Sequence, residues 1–189
     1  MRLFIALTFS PELVEKLSAA QDELRQCRGD VKWVERENLH LTLKFLGEVT
    51  KERVREIIDT LSQGVRGIGK LHLGVKGAGV FPNWARPRII WVGLTPNPLL
   101  GELHRSLEQE LVALGFPAEK SFSPHITLGR IRTLNNWSVL KQKLQGWQER
   151  IWGEEEINKV VLMQSHLTPR GPLYRIVETF PLTQTHTIF

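Results

Sequence analysis

The stretch His40-Leu41-Thr42-Leu43 returns as His125-Ile126-Thr127-Leu128. In both copies polar and apolar residues alternate with the period of a strand. Residues two apart on a strand point the same way, about 6.5–7 Å from one another, so each copy projects one imidazole and one hydroxyl from a single face. The surroundings repeat too: Leu3 precedes His40 by 37 positions, and Arg88 precedes His125 by 37.

Outward from these strands the two halves follow one plan. Residues 3–9 form an apolar run that predicts a buried strand, ending at Ser10-Pro11, where Ser10 caps a helix and Pro11 takes its first position. Leu13, Leu17, Ala20 and Leu24 then keep helical spacing. Thr50 opens a second helix bearing Val54, Ile57, Ile58 and Leu61, and residues 71–81 return as a strand. In the second half, residues 88–94 predict a strand, and 98–114 a helix with Leu99, Leu103, Leu107 and Leu111 four apart. Asn135 or Asn136 caps a helix running through Trp147, and residues 160–163 begin a closing hairpin turned by Thr168-Pro169-Arg170-Gly171. This order predicts an α+β fold with two pseudo-symmetric lobes, each an antiparallel sheet with helices on its outer face, forming a central groove. A single two-lobed domain over residues 1–189 is expected, its motif-bearing halves at about 1–82 and 87–180, with a crossover at 82–87.

A hydrophobic content of 41% over 189 residues supports a sizeable core and excludes a disordered chain. The net charge of +5 comes from Lys and Arg scattered along the chain, which favours an anionic partner without naming one. A lone cysteine, Cys27, excludes an internal disulfide and a cysteine-rich zinc site, so a reducing, cytoplasmic setting is expected. The opening apolar run is short and meets Pro11, Glu12, Glu15 and Lys16, unlike a signal peptide, and no other segment approaches membrane-spanning length. A soluble protein with no membrane partner is expected, and no obligate protein partner is evident, so a monomer is expected.

If the two motif strands face one another, His40, Thr42, His125 and Thr127 converge on one small volume. Two imidazoles around a phosphate make a metal-free acid–base catalyst, one taking a proton from a nucleophile while the other gives one to the leaving oxygen. The hydroxyls can donate hydrogen bonds to non-bridging oxygens as charge builds there. A single strand histidine is usually a structural residue; recurrence with a threonine two residues on, in both halves, points to chemistry instead. His166-Leu167-Thr168 is a decoy, because Thr168 enters a turn and His166 has no counterpart in the first half. His72, His104 and His186 lack a threonine two positions on. By parity Lys44 shares the face of His40 and is a candidate phosphate contact. Arg130 breaks parity with His125, yet after Gly129 it can swing back to the groove as a second candidate. Trp84, Arg86 and Arg88, near the crossover, read as rim packing.

The stretches His40-Leu41-Thr42-Leu43-Lys44-Phe45-Leu46-Gly47 and Phe122-Ser123-Pro124-His125-Ile126-Thr127-Leu128-Gly129-Arg130 resemble the paired motifs of the two-histidine (2H) phosphoesterases, specifically the RNA 2',3'-cyclic phosphodiesterases once called 2'-5' RNA ligases. The opening Arg2-Leu3-Phe4-Ile5-Ala6, the Trp91 strand and Gly171-Pro172-Leu173-Tyr174 are similar to that family as well. The resemblance implies hydrolysis of RNA 2',3'-cyclic phosphate ends to 2'-phosphates without metal or other cofactor. His40 is then the proton donor and His125 the acceptor, and the reverse chemistry allows 2'-5' joining of RNA ends. Two rivals stand beside it. A non-catalytic RNA-binding module would want exposed strand aromatics in an RNP-like pattern, which these strands lack. A metal hydrolase would want three or four ligands, and neither motif has an acidic neighbour at ligand spacing on its face. A 2H enzyme acting on small cyclic nucleotides is the variant nearest the main reading.

Overall fold

Ser10 does cap the first helix: its hydroxyl accepts from Leu13 N at 3.2 Å, and Pro11 opens the helix. The computed structural model describes residues 1–169 and 171–183; Arg170 of the expected turn and His186 lie outside the described residues. Among the described residues four helices are present, α1 (Pro11–Arg25), α2 (Val54–Gly64), α3 (Pro98–Ala113) and α4 (Trp137–Gln145). The strands are β1 (Arg2–Leu7), β2 (Val31–Trp33), β3 (Leu41–Glu48), β4 (Leu71–Phe81), β5 (Ile89–Leu94), β6 (Ile126–Ile131), β7 (Ile151–Ile157), β8 (Lys159–Thr168) and β9 (Gly171–Pro181). The expected cap holds at α1, and α3 has a cap of its own, Asn97, which accepts from Leu100 N at 2.9 Å. Asn136 precedes α4 in a left-handed conformation and makes no side-chain cap, its amide instead donating to Arg28 O at 2.9 Å.

The strands run in the order β7-β4-β5-β6-β3-β1-β8-β9, with β2 alongside β6. All strand pairs are antiparallel, and the two halves of this array meet at a single bridge between Leu41 and Ile126. These two residues are equivalent in the repeat, 85 positions apart like the histidines, so the pseudo-twofold axis passes between them. Lobes and sequence halves do not coincide. β4, which closes the first half, pairs with β5 and β7, while β8, from the end of the second half, pairs with β1. The helices cross over in the same way. α1 packs against β7, and the buried Gln21 amide on it donates to Leu128 O of β6 and to Val34 O, both at 2.8 Å. α3 packs against α2 and braces β3 through Glu108. Each motif strand is therefore supported by a helix from the other half.

The main core lies between sheets and helices, with Leu17, Leu24, Leu43, Leu61, Leu103, Leu111 and Leu128 all essentially inaccessible. A second, smaller cluster of Phe4, Ala6, Val161 and Met163, with Tyr174 against it, covers the opposite face of the β1–β8–β9 sheet. Strand β7 escapes a reading by pattern because Glu154-Glu155-Glu156 looks like a solvated loop. Glu155 is in fact buried and accepts from Ser10 N at 2.6 Å and from Ser10 Oγ at 2.8 Å, tying the start of α1 to the sheet.

Candidate active site

Antiparallel geometry around the Leu41–Ile126 bridge determines which side chains meet. Directly opposed residues point to the same side of a sheet. Leu41 and Ile126 are both buried on the helix side, so His40, Thr42, His125 and Thr127 all face the other way, with His40 across from Thr127 and Thr42 across from His125. All four line one groove of about 340 Å³, together with Phe45, Arg130, Lys32, Glu35 and Tyr174.

The two histidines are oriented alike. His40 Nδ1–H donates to Asn38 O at 2.6 Å, and His125 Nδ1–H donates to Ser123 O at 2.7 Å, each carbonyl lying two residues back. That bond fixes the tautomer, leaving Nε2 of each neutral ring as the basic nitrogen. Their surroundings differ. His40 Nε2 lies 3.0 Å from Thr42 Oγ1. Its ring is flanked by Phe4 at 5.1 Å and by Tyr174, edge-on, at 5.3 Å. Burial pushes the His40 pKa below its ordinary value; the bond to Asn38 O opposes this, and the charge of His125 adds to it. His125 has Phe81 as its aromatic neighbour, edge-on at 4.9 Å. The Tyr174 phenol is pushed up by burial, against the pull of Arg130 and Arg2, and so stays a neutral donor beside His40.

Lys44 does not reach the groove. Between Thr42 and Lys44 the register with β1 slips, Ala6 facing Thr42 and Ile5 facing Lys44, so Leu43 is the extra residue of a bulge. The bulge reverses parity. Lys44 turns to the helix side, where it is buried and its Nζ donates to Glu108 Oε2 at 2.6 Å and Pro117 O at 2.8 Å, while Phe45 takes the groove position. The second motif repeats the bulge: Trp91 faces Thr127 and Ile90 faces Gly129, with Leu128 extra. That same reversal brings Arg130, the repeat-mate of Phe45, into the groove lining.

The remaining described histidines lie apart from the groove. His166 is exposed on β8 and Thr168 is spent on the turn, its hydroxyl donating to Gly171 O at 2.7 Å. His72 is exposed at an edge near Glu156. His104 stacks on Phe122 at 3.8 Å. Trp84 stacks on Trp137, as rim packing would have it. Among the described residues, His104, Glu108 and Glu119 bring three potential metal ligands within reach of one another. Glu108 there already accepts from Lys44 and from Glu119 N, and none of the three lines the groove.

Comparison with known proteins agrees with the repeat. The LigT-like phosphoesterase family model matches twice in succession, over residues 7–91 and 92–174. The chain belongs to the LigT-like phosphoesterase family. An RNA 2',3'-cyclic phosphodiesterase from Methanothermobacter thermautotrophicus is 36% identical over 182 residues, 96% of this chain and 99% of the relative. One from Methanocaldococcus jannaschii is 36% identical, covering 94% and 99%. Among solved structures, a Thermus thermophilus protein superposes with a TM-score of 0.80 at 30% identity, over 98% of this chain and 100% of that one. Apo Escherichia coli LigT superposes with 0.77 at 26%, over 97% and 98%.

Within this LigT-like groove several residues reach the histidines through contacts that no local pattern in the sequence reports. Tyr174 sits more than 130 positions from His40 and comes to it only because β9 is laid on β8, and β8 on β1. Asn38 both accepts from His40 and donates through Nδ2 to Pro172 O at 2.9 Å, fastening the histidine to the start of β9. Phe81 reaches His125 only through the crossing of β4 into the other lobe.

Proposed function

We propose that this protein is an RNA 2',3'-cyclic phosphodiesterase, opening the cyclic phosphate with water to leave a 2'-phosphate, in the cytoplasm and as a monomer. The observation that carries the reading is the convergence of two like-oriented His-x-Thr pairs on one groove, either side of the Leu41–Ile126 bridge. The names of the relatives support the substrate class, as do the structures of Escherichia coli LigT complexed with phosphate and with 3'-AMP.

In this reading His125, the more open of the two, takes a proton from water through Nε2, and His40 hands one to the departing O3'. The lowered pKa of free His40 fits a proton donor once substrate is bound. A phosphate anion in an enclosed, poorly screened site stabilises a neighbouring imidazolium more than it would at an open one. Thr42 and Thr127 donate to the non-bridging oxygens, and Arg130 and Lys32 offset their charge. Proton transfer and charge stabilisation both come from side chains, so no metal or other cofactor is required.

The test is incubation of chelator-treated protein with short RNAs ending in 2',3'-cyclic phosphate, alongside mononucleotide cyclic phosphates. Turnover to 2'-phosphate ends, with the RNA preferred, is the expected result. Turnover only after added zinc or magnesium would overturn the mechanism, and preference for the mononucleotides would move the substrate to small cyclic nucleotides.

A further inference from the structure

His125 borders two cavities. One is the groove it shares with His40; the other, of about 560 Å³, lies beyond it and is lined by Phe81, Trp91, Thr95, Gly101, Phe122 and Ser123. We propose that this second depression is the nucleoside subsite that seats the attacking RNA 5' end in the 2'-5' joining the resemblance already implies, the new element being the place where that strand is held. The inference rests on the phosphodiesterase reading and on His125 as the base.

Three observations carry it. In an in-line displacement the nucleophile approaches opposite the leaving oxygen, so with His40 serving O3' the nucleophile arrives from the His125 side. Water needs only about 30 Å³ there, and the depression is many times larger. Its floor is an aromatic shelf. Trp91, half-exposed, lies flat on the sheet because Gly79 and Gly93 have no side chains: a Cβ at Gly79 would come within 2.4 Å of the indole Cζ2, and one at Gly93 within 3.2 Å of Cζ3. The Trp91 Nε1 is buried without a hydrogen-bond partner among the described residues, so packing alone holds the ring. Phe81 lies 5.1 Å from Trp91, and Phe122 forms another wall. Flat aromatic surfaces of this kind stack nucleobases of any identity. Finally, the pseudo-symmetry breaks at this place. Phe4 and Tyr174 close around His40, whereas the space beside His125 is open.

The step balances without any further reactant. The 5'-oxygen forms a bond to phosphorus as its proton passes to His125 Nε2; the P–O3' bond breaks and O3' takes the proton from His40. The product is a 2'-5' phosphodiester with a free 3'-hydroxyl.

The test measures partition between capture and hydrolysis of a cyclic-phosphate RNA. The nucleophile is a 2'-O-methylated, 3'-blocked dinucleotide whose 5'-hydroxyl is its only free alcohol, with glycerol as the simple-alcohol control. Gly101 lies in the first turn of α3, and its Cβ position opens on empty space, so Gly101→Trp fills the depression from the helix side while leaving His40, Thr42 and Thr127, none of which lines it, untouched. Capture by the dinucleotide should saturate with concentration, and the capture-to-hydrolysis ratio should fall at least about tenfold in Gly101→Trp and by a similar order in Trp91→Leu. Glycerol capture should rise linearly and be indifferent to Gly101→Trp. Dinucleotide capture that is linear, or unmoved by both substitutions, overturns the subsite. So does a parallel loss of capture and hydrolysis in folded Gly101→Trp, which would mean that the depression merely supports His125. Failure of the wild type to open the cyclic phosphate at all sinks the phosphodiesterase reading itself, and the subsite with it.

Discussion

His40 and His125 sit at equivalent places of a repeat, one residue ahead of β3 and β6, and each donates Nδ1–H to the carbonyl two residues back. They differ in what surrounds them. Around His40 the β8–β9 hairpin adds Tyr174 to Phe4, enclosing the ring and lowering its pKa. Around His125 there is Phe81 and then open space. Closely similar local sequence supplies the pair of imidazoles; distant strands enclose one of them and leave the other beside open space. In the mechanism proposed above, the asymmetry of the reaction is thus built from outside the motifs.

The largest effects should come from removing the rings. His40→Ala and His125→Ala should each lower turnover of a cyclic-phosphate RNA by about 10²–10⁴-fold. An activated aryl phosphodiester, whose leaving oxygen needs no proton, should rescue only His40→Ala. Rescue of the His125 variant instead would exchange the roles and break the comparison. Next in size are the hydroxyls. Thr42→Val and Thr127→Val should each cost about 10–1,000-fold with the fold intact by circular dichroism. Thr42→Val should cost more, because Thr42 also contacts His40 Nε2 at 3.0 Å.

A subtler effect should appear in the pH profile. A proton donor must be protonated, so activity is lost as pH rises through its pKa; with His40 lowered from 6.5, the alkaline limb of kcat/KM should lie below that value. In kcat, with phosphate bound, the limb should move up. Tyr174→Leu should let the kcat/KM limb drift back towards 6.5, while Phe81→Leu should leave it in place. The same shift bears on stability. The folded state binds the His40 proton less readily than the unfolded chain, so this contribution is present above about pH 6.5 and is lost as pH falls towards the folded pKa. Urea midpoints across this range, in wild type and Tyr174→Leu, check the sign.

The smallest effect on activity should come from Lys44→Met, since Lys44 is on the far side of β3. Stability should fall by up to about 3 kcal/mol, because Glu108 loses its buried partner. A large loss of kcat in a stable Lys44→Met protein would return that lysine to the chemistry.

What the sequence made legible follows the range of the interactions involved. Repeat, the helix cap at Ser10, and the two His-x-Thr faces all depend on residues within a few positions of one another, and local pattern reports such things directly. The face of Lys44 depends on how β1 is registered against β3, where a bulge at Leu43 reverses the alternation; nothing in the motif itself distinguishes a bulged strand from a regular one. That β4 and β8 pair with strands of the other half was hidden for a similar reason. Alternation says which face of a strand is buried and is silent on which strand lies beside it. Tyr174 was invisible as a neighbour of His40 because its position is fixed by two successive strand pairings.

The exchange of strands between lobes also has a consequence for assembly. β1, from the start of the described chain, pairs with β8, so the sheet that carries His40 cannot close until residues near 168 have been made. Pairings of such long sequence separation carry a heavy loop-closure cost and are slow to form. During synthesis the first motif would wait, with β1 and β3 exposing an unpaired edge, for the hairpin that supplies Tyr174. The Tyr174 wall that completes the aromatic enclosure of His40 is therefore among the last features of the molecule to be built, and a chain released early would have only Phe4 beside the ring.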